Sequence, residues 1–101
     1  MNISTNVSSI QAHQTMLNTS ANNVANVNSD GFVPTNTRIV GGENSVKADN
    51  VKQSDSGLKR SQTDLAKEMV EQIISQDAVA VNVTAIKAQD DVLGSLLDIK
   101  A

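Results

Sequence analysis

Residues 3–24 read ISTNVSSIQAHQTMLNTSANNV, with apolar side chains recurring at steps of three or four positions. The apolar positions are Ile3, Val7, Ile10, Leu17, Ala21 and Val24, and Gln14 occupies the one polar position of the series. This spacing predicts an amphipathic helix over residues 4–28.

The opposite face of this helix carries no charge, because residues 1–29 contain no Asp, Glu, Lys or Arg. Surface helices are usually solvated by charged side chains, whereas this face consists of Ser, Thr, Asn and Gln. An uncharged polar face can be buried against other chains at little desolvation cost. We therefore expect the helix to be surrounded by protein in an assembly.

The middle of the chain is polar and rich in Gly, Ser, Asn and Asp over residues 33–60. Gly31 and Pro34 end the first helix, since glycine suits a left-handed turn and proline cannot continue a helix. Residues 38–40, the Gly41-Gly42 pair and Val46 permit a short β-hairpin. The alternative is an extended segment that is disordered in the free chain or ordered by neighbouring subunits.

A second, longer helix is predicted over residues 62–99. Its apolar stripe is Leu65, Met69, Val79, Val83, Ile86, Leu93 and Leu97, with Gln72, Gln76 and Asp90 as polar members. Ala66, Val70, Ile73, Ile74 and Ala80 widen the apolar face, which gives the helix surface to bury against more than one partner. Ser61 and Asp64 match a weak capping box, and residues 79–83 alternate as a strand would, but the flanking helical pattern favours helix.

These elements predict an all-α fold: two long terminal helices packed as an antiparallel coiled-coil hairpin and joined by an irregular or short β-hairpin segment. The expected division is residues 1–32, 33–60 and 61–101. Two thin helices share only one seam and leave the widened face of the second helix in water. Such a chain needs oligomerisation to bury a core, and we expect a helical tubular assembly.

Composition excludes several classes of function. The chain has no Cys and a single His, His13, so no metal site or cysteine nucleophile can be assembled, and no nucleophile–base pair is present. A net charge of −3 argues against nucleic-acid binding. No apolar run is long enough to span a membrane, and the N-terminus lacks a Sec-type signal peptide. We expect no enzymatic activity and no cofactor.

Residues 21–32, ANNVANVNSDGF, resemble the N-terminal signature of bacterial flagellar rod and hook proteins, with Ser29 where Thr is usual. The C-terminal part is also similar to that family. Residues 64–70, DLAKEMV, resemble the opening of its last helix, residues 76–86 its central stretch, and residues 92–97, VLGSLL, its ending. The two motifs are specific jointly, because they occur in the right order at the two ends of the chain.

The resemblance implies a minimal, proximal-rod-type subunit, because residues 33–60 leave no room for the globular insertions of hook and distal-rod proteins. Family members stack their terminal helices around a central channel. The residues then expected to pack between subunits are Ile3, Val7, Ile10, Leu17, Ala21, Asn22, Asn23, Val24, Asn26, Gly31, Phe32, Leu65, Met69, Ile73, Val79, Val83, Ile86, Leu93, Gly94 and Leu97. The implied partners are further copies, other axial proteins and the flagellar type III export apparatus, and the implied location is the basal-body rod in the periplasmic space, reached without a cleavable signal peptide.

Two other hypotheses remain open at the level of sequence. One is a soluble helical adaptor or export chaperone for flagellar proteins, against which the charge-free first helix argues. The other, more remote, is a ligand-binding helical bundle.

Overall fold

The computed structural model describes residues 3–42 and 45–100. Helix α1 spans Ile3–Ala25, strands β1 and β2 span Thr35–Gly41 and Val46–Lys52, and helix α2 spans Leu65–Lys100. The molecule is elongated, with extents of 68 × 23 × 13 Å. The expectation of an all-α fold built from two long terminal helices is therefore wrong, because the chain is a helix, a two-stranded antiparallel sheet and a helix.

The sheet forms because β1 alternates β-branched side chains, which favour extended backbone. Thr35 pairs with Lys52 at one end of the ladder and Gly41 pairs with Val46 at the other. A two-stranded hairpin is marginal in water on its own. Here it lies along α1, where the Val46 backbone N–H donates to Ser8 Oγ at 3.0 Å. The short hairpin, which the sequence analysis offered as one of two alternatives for the middle segment, is therefore present. The fold class was still expected to be all-α, because local sequence patterns do not show this long-range support.

The helices run antiparallel, but their contact is mainly polar. Ser20 Oγ donates to the Glu68 carbonyl oxygen at 3.1 Å, and Asn82 Nδ2 donates to Ser9 Oγ at 3.1 Å. Among the α2 residues whose exposure is described, ten have intermediate or low exposure, including Glu71, Ala78 and Ala85. The other seven recur at steps of three or four residues along this contact: Glu68, Gln72, Ser75, Val79, Asn82, Ile86 and Gln89. We call these seven residues the polar seam.

The polar seam differs from the coiled-coil contact that the sequence predicted between the two helices. A coiled coil packs apolar side chains between its helices, whereas Val79 and Ile86 are the only apolar members of the predicted stripe that lie in this seam. Small hydroxyl side chains, including the fully buried Ser20 and Ser75, let the helices approach closely. The chain's buried hydrophobic side chains among the described residues are confined to small contributors such as Ala12 and Val33.

Both helix ends next to the middle segment are shorter than predicted. At the end of α1 the Val27 N–H bonds back to the Val24 carbonyl at 3.1 Å, a three-residue step that tightens the chain out of the α-helix. At the start of α2 it is Asp64 that caps the helix, since its Oδ1 accepts from the Lys67 N–H at 3.3 Å. Residues 79–83 lie within α2, as predicted.

Backbone hydrogen bonds join the two ends of the middle segment, next to the end of α1 and the start of α2. The Gly31 N–H donates to the Lys59 carbonyl, and the Gln62 N–H donates to the Phe32 carbonyl at 3.0 Å. Gly31 has a φ of 74°, a left-handed conformation that residues with a Cβ adopt at a cost. We call residues 29–33 and 58–64 the base of the molecule.

Gly31→Ala should destabilise the fold by about 1–2 kcal/mol, because a Cβ disfavours the left-handed backbone. Nothing lies within 4 Å of the position that its Cβ would take, so steric clash adds no further cost. Gly41→Ala is the matched control, since its Cβ also meets open space and its φ is not positive. Urea unfolding followed by circular dichroism should separate the two variants, and equal midpoints would contradict the backbone argument.

Candidate assembly interface

A buried hydrogen-bond cluster joins α1, β1 and α2 at the base end of the helices. Asn23 Nδ2 donates to the Thr35 carbonyl at 2.8 Å, and Asn23 Oδ1 accepts from the Thr35 N–H at 3.1 Å. The same Nδ2 also donates to both carboxylate oxygens of Glu68, at 3.0 and 3.1 Å. The Asn23 amide therefore pairs with Thr35 as a neighbouring strand would, while it binds the second helix.

Glu68 is the only carboxylate among the described residues that is almost fully enclosed, with 2% of its surface exposed. Burying a carboxylate is costly unless it is hydrogen-bonded, and here the side-chain donor is Asn23. Thr63 Oγ1 adds a further tie by donating to the Asn23 carbonyl at 3.0 Å. The arrangement fixes the positions of the two helices and of the first strand relative to one another.

Many large apolar side chains of α2 are exposed to solvent. Large hydrophobic side chains with 44% or more of their surface exposed recur along its whole length. They are Leu65, Met69, Val70, Ile73, Ile74, Val81, Val83, Val92, Leu93, Leu96, Leu97 and Ile99. We call these twelve residues the outer face of α2. A face of this size on a soluble protein is typical of an interaction surface.

The residues predicted to pack between subunits differ in their solvent exposure. Those exposed are Ile3, Val7, Ala21, Asn22, Gly31, Leu65, Met69, Ile73, Val83, Leu93, Gly94 and Leu97. Those of intermediate exposure are Ile10, Leu17, Val24, Asn26, Phe32, Val79 and Ile86, and Asn23 is buried within the chain. Packing between subunits remains a prediction for all of these residues. The exposed ones are accessible to another subunit in the folded chain.

The uncharged face of α1 is partly covered by the chain itself. Asn6, Ser20 and Asn23 are buried, and Ser8 contacts β2. The absence of charge on this face correctly indicated burial, but the sequence analysis expected other chains, not the chain itself, to cover it. Polar and small residues repeat at heptad spacing on α2, at Glu68, Ser75 and Asn82, and this repeat was available to mark the seam.

Two carboxyl groups have shifted pKa values. Partial burial raises the pKa of Glu71, the neighbouring Glu68 charge raises it further, and Lys67 opposes both. A hydrogen bond from the Gly57 backbone N–H lowers the pKa of Asp55, and the Gln62 side chain adds to this effect. The Lys67 Nζ to Glu71 Oε1 distance is 3.9 Å, and Lys67 also donates to Asn36 Oδ1 at 2.7 Å.

An apolar groove lies where α2 passes the beginning of α1. Its volume is about 590 Å³, and it is lined by Ile3, Ala85, Ala88, Gln89, Val92, Leu93 and Leu96. We call this the end groove. Gln89 Nε2 is buried and has no hydrogen-bond partner in the part of the chain that the structure describes, and neither has Asn6 Nδ2.

The described residues contain no group of three or more His, Cys, Asp or Glu side chains that could hold a metal ion. His13 Nδ1 bonds instead to the Ser9 carbonyl of its own helix at 2.8 Å. Over residues 3–42 and 45–100, neither helix combines the length and the apolar character needed to cross a bilayer.

Residues 56–99 match the family described as flagellar basal body rod FlgEFG protein C-terminal. This part of the chain is similar to the C-terminal part of flagellar basal-body rod proteins. The resemblance drawn from the sequence is thereby confirmed, and the matched residues include all of the outer face of α2. Comparison with curated proteins gave no match. The rod-family segment includes the polar seam, whereas the N-terminal motif at residues 21–32 lies outside it and remains a resemblance.

Asn23→Ala should lower the free energy of unfolding by about 3 kcal/mol, because it removes four hydrogen bonds that join segments and leaves the buried Glu68 carboxylate without its side-chain donor. Asn18→Ala, an exposed amide on the same helix, should change it by less than about 0.5 kcal/mol. Urea titration of both variants checks the difference. Similar stabilities would show that the cluster does not hold the three segments together.

Acidification should stabilise the fold through Glu71. The pKa of Glu71 is raised in the folded state, so the folded chain binds the proton more tightly than the unfolded chain does. The stabilisation by this proton is complete below the ordinary pKa of 4.5 and is lost as the pH rises through the folded-state pKa. Glu71→Gln should therefore raise the unfolding midpoint at pH 7 and flatten its pH dependence above pH 4.5. Asp77→Asn, which removes an exposed charge from the same helix, is the control. If both variants keep the original slope, the burial and the Glu68 charge do not act on Glu71.

Proposed function

We propose that this chain is a structural subunit of the bacterial flagellar rod that polymerises through its terminal helices into a hollow axial structure. Such a structure transmits torque and leaves a channel for export. The single observation that supports the proposal best is the outer face of α2, which a folded monomer leaves in water. The similarity of residues 56–99 to a rod family supports the same conclusion.

The energetics favour assembly over a soluble monomer. Fully burying one large aliphatic side chain contributes about 1.5–3 kcal/mol, and the outer face carries twelve such side chains. The interior offers little in exchange, since its most deeply buried large side chains are polar: Glu68, Asn23, Ser20 and Ser75. Neighbouring chains that cover the outer face would supply the hydrophobic core that the single chain lacks.

The partners follow from this role. We propose further copies of the chain and other axial proteins of the flagellum as the neighbours, and the flagellar type III export apparatus as the route of delivery. The proposed location is the basal-body rod in the periplasmic space. We propose no catalytic step, because the clusters described above act through packing and hydrogen bonding.

The alternative, a soluble adaptor or export chaperone for flagellar proteins, predicts a different physical behaviour. A chaperone covers an apolar surface when it binds a client and remains small, whereas a rod subunit forms large particles. Sedimentation of the purified chain, with and without other rod proteins, distinguishes the two. A stable complex of one copy with one client, and no larger particle, would favour the chaperone.

Leu97→Asp should prevent assembly while the fold of the monomer is kept. Leu97 is 60% exposed on the outer face of α2, so its change costs the isolated chain little, but a charge buried between subunits without a partner costs several kcal/mol. Val51→Asp, on β2 with 55% exposure, is the matched control and should be much milder. Electron microscopy and sedimentation report assembly. Normal rods in a strain carrying Leu97→Asp would contradict the packing role of this face.

A further inference from the structure

Asp30 and Gly31 lie in the turn through which the chain leaves α1 for the hairpin. This is the only place in the sequence where glycine follows Asp or Asn. An aspartate followed by glycine is well suited to form a cyclic imide, because glycine has no side chain that hinders the ring. Both residues are exposed in the structure. The turn therefore places a reactive dipeptide in contact with water.

We propose that Asp30 is a site of isoaspartate formation, and that the hydrogen bond from the Gly31 N–H to the Lys59 carbonyl controls its rate. This chemistry needs no partner protein and is independent of the proposed function. It makes Asp30 a modification site that becomes reactive when the base of the molecule opens.

The reaction uses only groups of these two residues and water. The Gly31 nitrogen bonds to Cγ of Asp30, and one carboxyl oxygen of Asp30 leaves as water together with the amide proton and the carboxyl proton. Water then opens the imide ring at one of its two carbonyl carbons. Attack at Cγ restores aspartate. Attack at the main-chain carbonyl carbon of Asp30 leaves Gly31 joined through Cγ, which is isoaspartate.

The surroundings of Asp30 leave its carboxyl group free to react. Among the residues that the structure describes, it has neither a hydrogen-bond partner nor an ion-pair partner. Nothing lies within 4 Å of the position that a Cβ of Gly31 would take, so other parts of the chain do not crowd the ring on that side. The restraint on the reaction therefore comes from the nitrogen and not from the carboxyl group.

Asp55 provides a contrast within the same chain. It is followed by Ser56, whose Cβ hinders ring formation. Its Oδ1 accepts from the Gly57 N–H and from Gln62 Nε2, both at 2.8 Å, and the Ser56 N–H donates to Gln62 Oε1 at 3.1 Å. At Asp55 both the carboxylate and the nitrogen are held, whereas at Asp30 only the nitrogen is held.

The fold restrains the nitrogen that attacks. The Gly31 N–H donates to the Lys59 carbonyl, and the Phe32 carbonyl accepts from the Gln62 N–H at 3.0 Å, so two successive residues after Asp30 are fixed to the opposite side of the base. An N–H that donates to a carbonyl is held away from a neighbouring carboxyl group and keeps its proton. Imide formation therefore requires local opening of the base, and its rate follows the equilibrium constant of that opening.

Isoaspartate at position 30 would disturb the base when it closes again. The main chain then runs through Cβ and Cγ of Asp30 and is one atom longer before Gly31. We expect this change to displace the Gly31 N–H from the Lys59 carbonyl. Modified chains, separated by chromatography, should therefore unfold at a lower urea concentration than unmodified chains.

The site is tested by measuring isoaspartate in the full chain after incubation at neutral pH. Enzymatic transfer of a labelled methyl group marks the free α-carboxylate of isoaspartate, and the tryptic peptide that ends at Arg38 contains position 30. We expect formation at Asp30 to be about tenfold faster in urea than in the folded chain, which is the order of the protection that one hydrogen bond provides. Asp30→Glu is the control and should give no signal in this peptide, because glutamate would have to form a larger ring. The peptide that contains Asp55 should be labelled more slowly than the Asp30 peptide in urea.

Hydrogen exchange tests the role of the Gly31–Lys59 hydrogen bond separately. Low concentrations of urea should accelerate exchange of the Gly31 amide proton and isoaspartate formation at Asp30 by the same factor, because both require the same opening. Asn23→Ala, which loosens the junction next to the base, should raise both rates. Asn18→Ala, on the exposed side of the same helix, should raise neither.

The outcomes separate the site from its control. Absence of isoaspartate at Asp30 in the unfolded chain would overturn the modification site. Equal rates in the folded chain and in urea, or a rate that changes independently of Gly31 exchange, would overturn control by the hydrogen bond. None of these results bears on the proposed function, which is tested by assembly.

Discussion

The side-chain amide of Asn23 holds three segments of the chain at one point. It completes a strand-like pair with Thr35 and donates to the Glu68 carboxylate, so the end of α1, the start of the hairpin and the first turn of α2 are fixed together. Because polar groups occupy this junction, the helices meet through their hydroxyl and amide faces. Twelve large apolar side chains of α2 are left exposed, while Val79 and Ile86 lie in the polar seam.

The contact between the two helices is polar, while large apolar side chains of α2 remain exposed. An ordinary globular chain folds by burying its apolar stripe, and its polar face meets water. Here the order is reversed, and hydrogen bonds such as Ser20 to Glu68 and Asn82 to Ser9 define the internal contact. Hydrogen bonds confer specific geometry but little net stability. In the proposed assembly, the hydrogen bonds of the chain would fix its shape, and contacts with neighbouring chains would supply most of its stability.

The amino-acid sequence predicted the existence of both helices, because their apolar periodicity extends over many turns. It did not reveal which face of α2 turns inward. Glu68, Ser75 and Asn82 repeat every seven residues, as the apolar stripe does, so periodicity alone fits either orientation. The capping residue was also ambiguous, since Ser61 and Asp64 are both good N-caps and only the structure shows the Asp64 bond to Lys67. The hairpin depends on a contact between Val46 and Ser8, which are far apart along the chain. The exposed members of the predicted interface follow directly from the apolar pattern, whereas Asn23 belongs to a cluster that no single-sequence pattern identifies.

The exposure of large aliphatic side chains on α2 would also determine how the proposed assembly responds to temperature. Burial of apolar surface near room temperature is driven by the entropy of water and is accompanied by a large negative heat-capacity change. Contacts made through this face therefore weaken on cooling, whereas the hydrogen-bonded seam inside each chain does not depend on that term. A polymer built in this way loosens between its subunits in the cold before the fold of each subunit is lost.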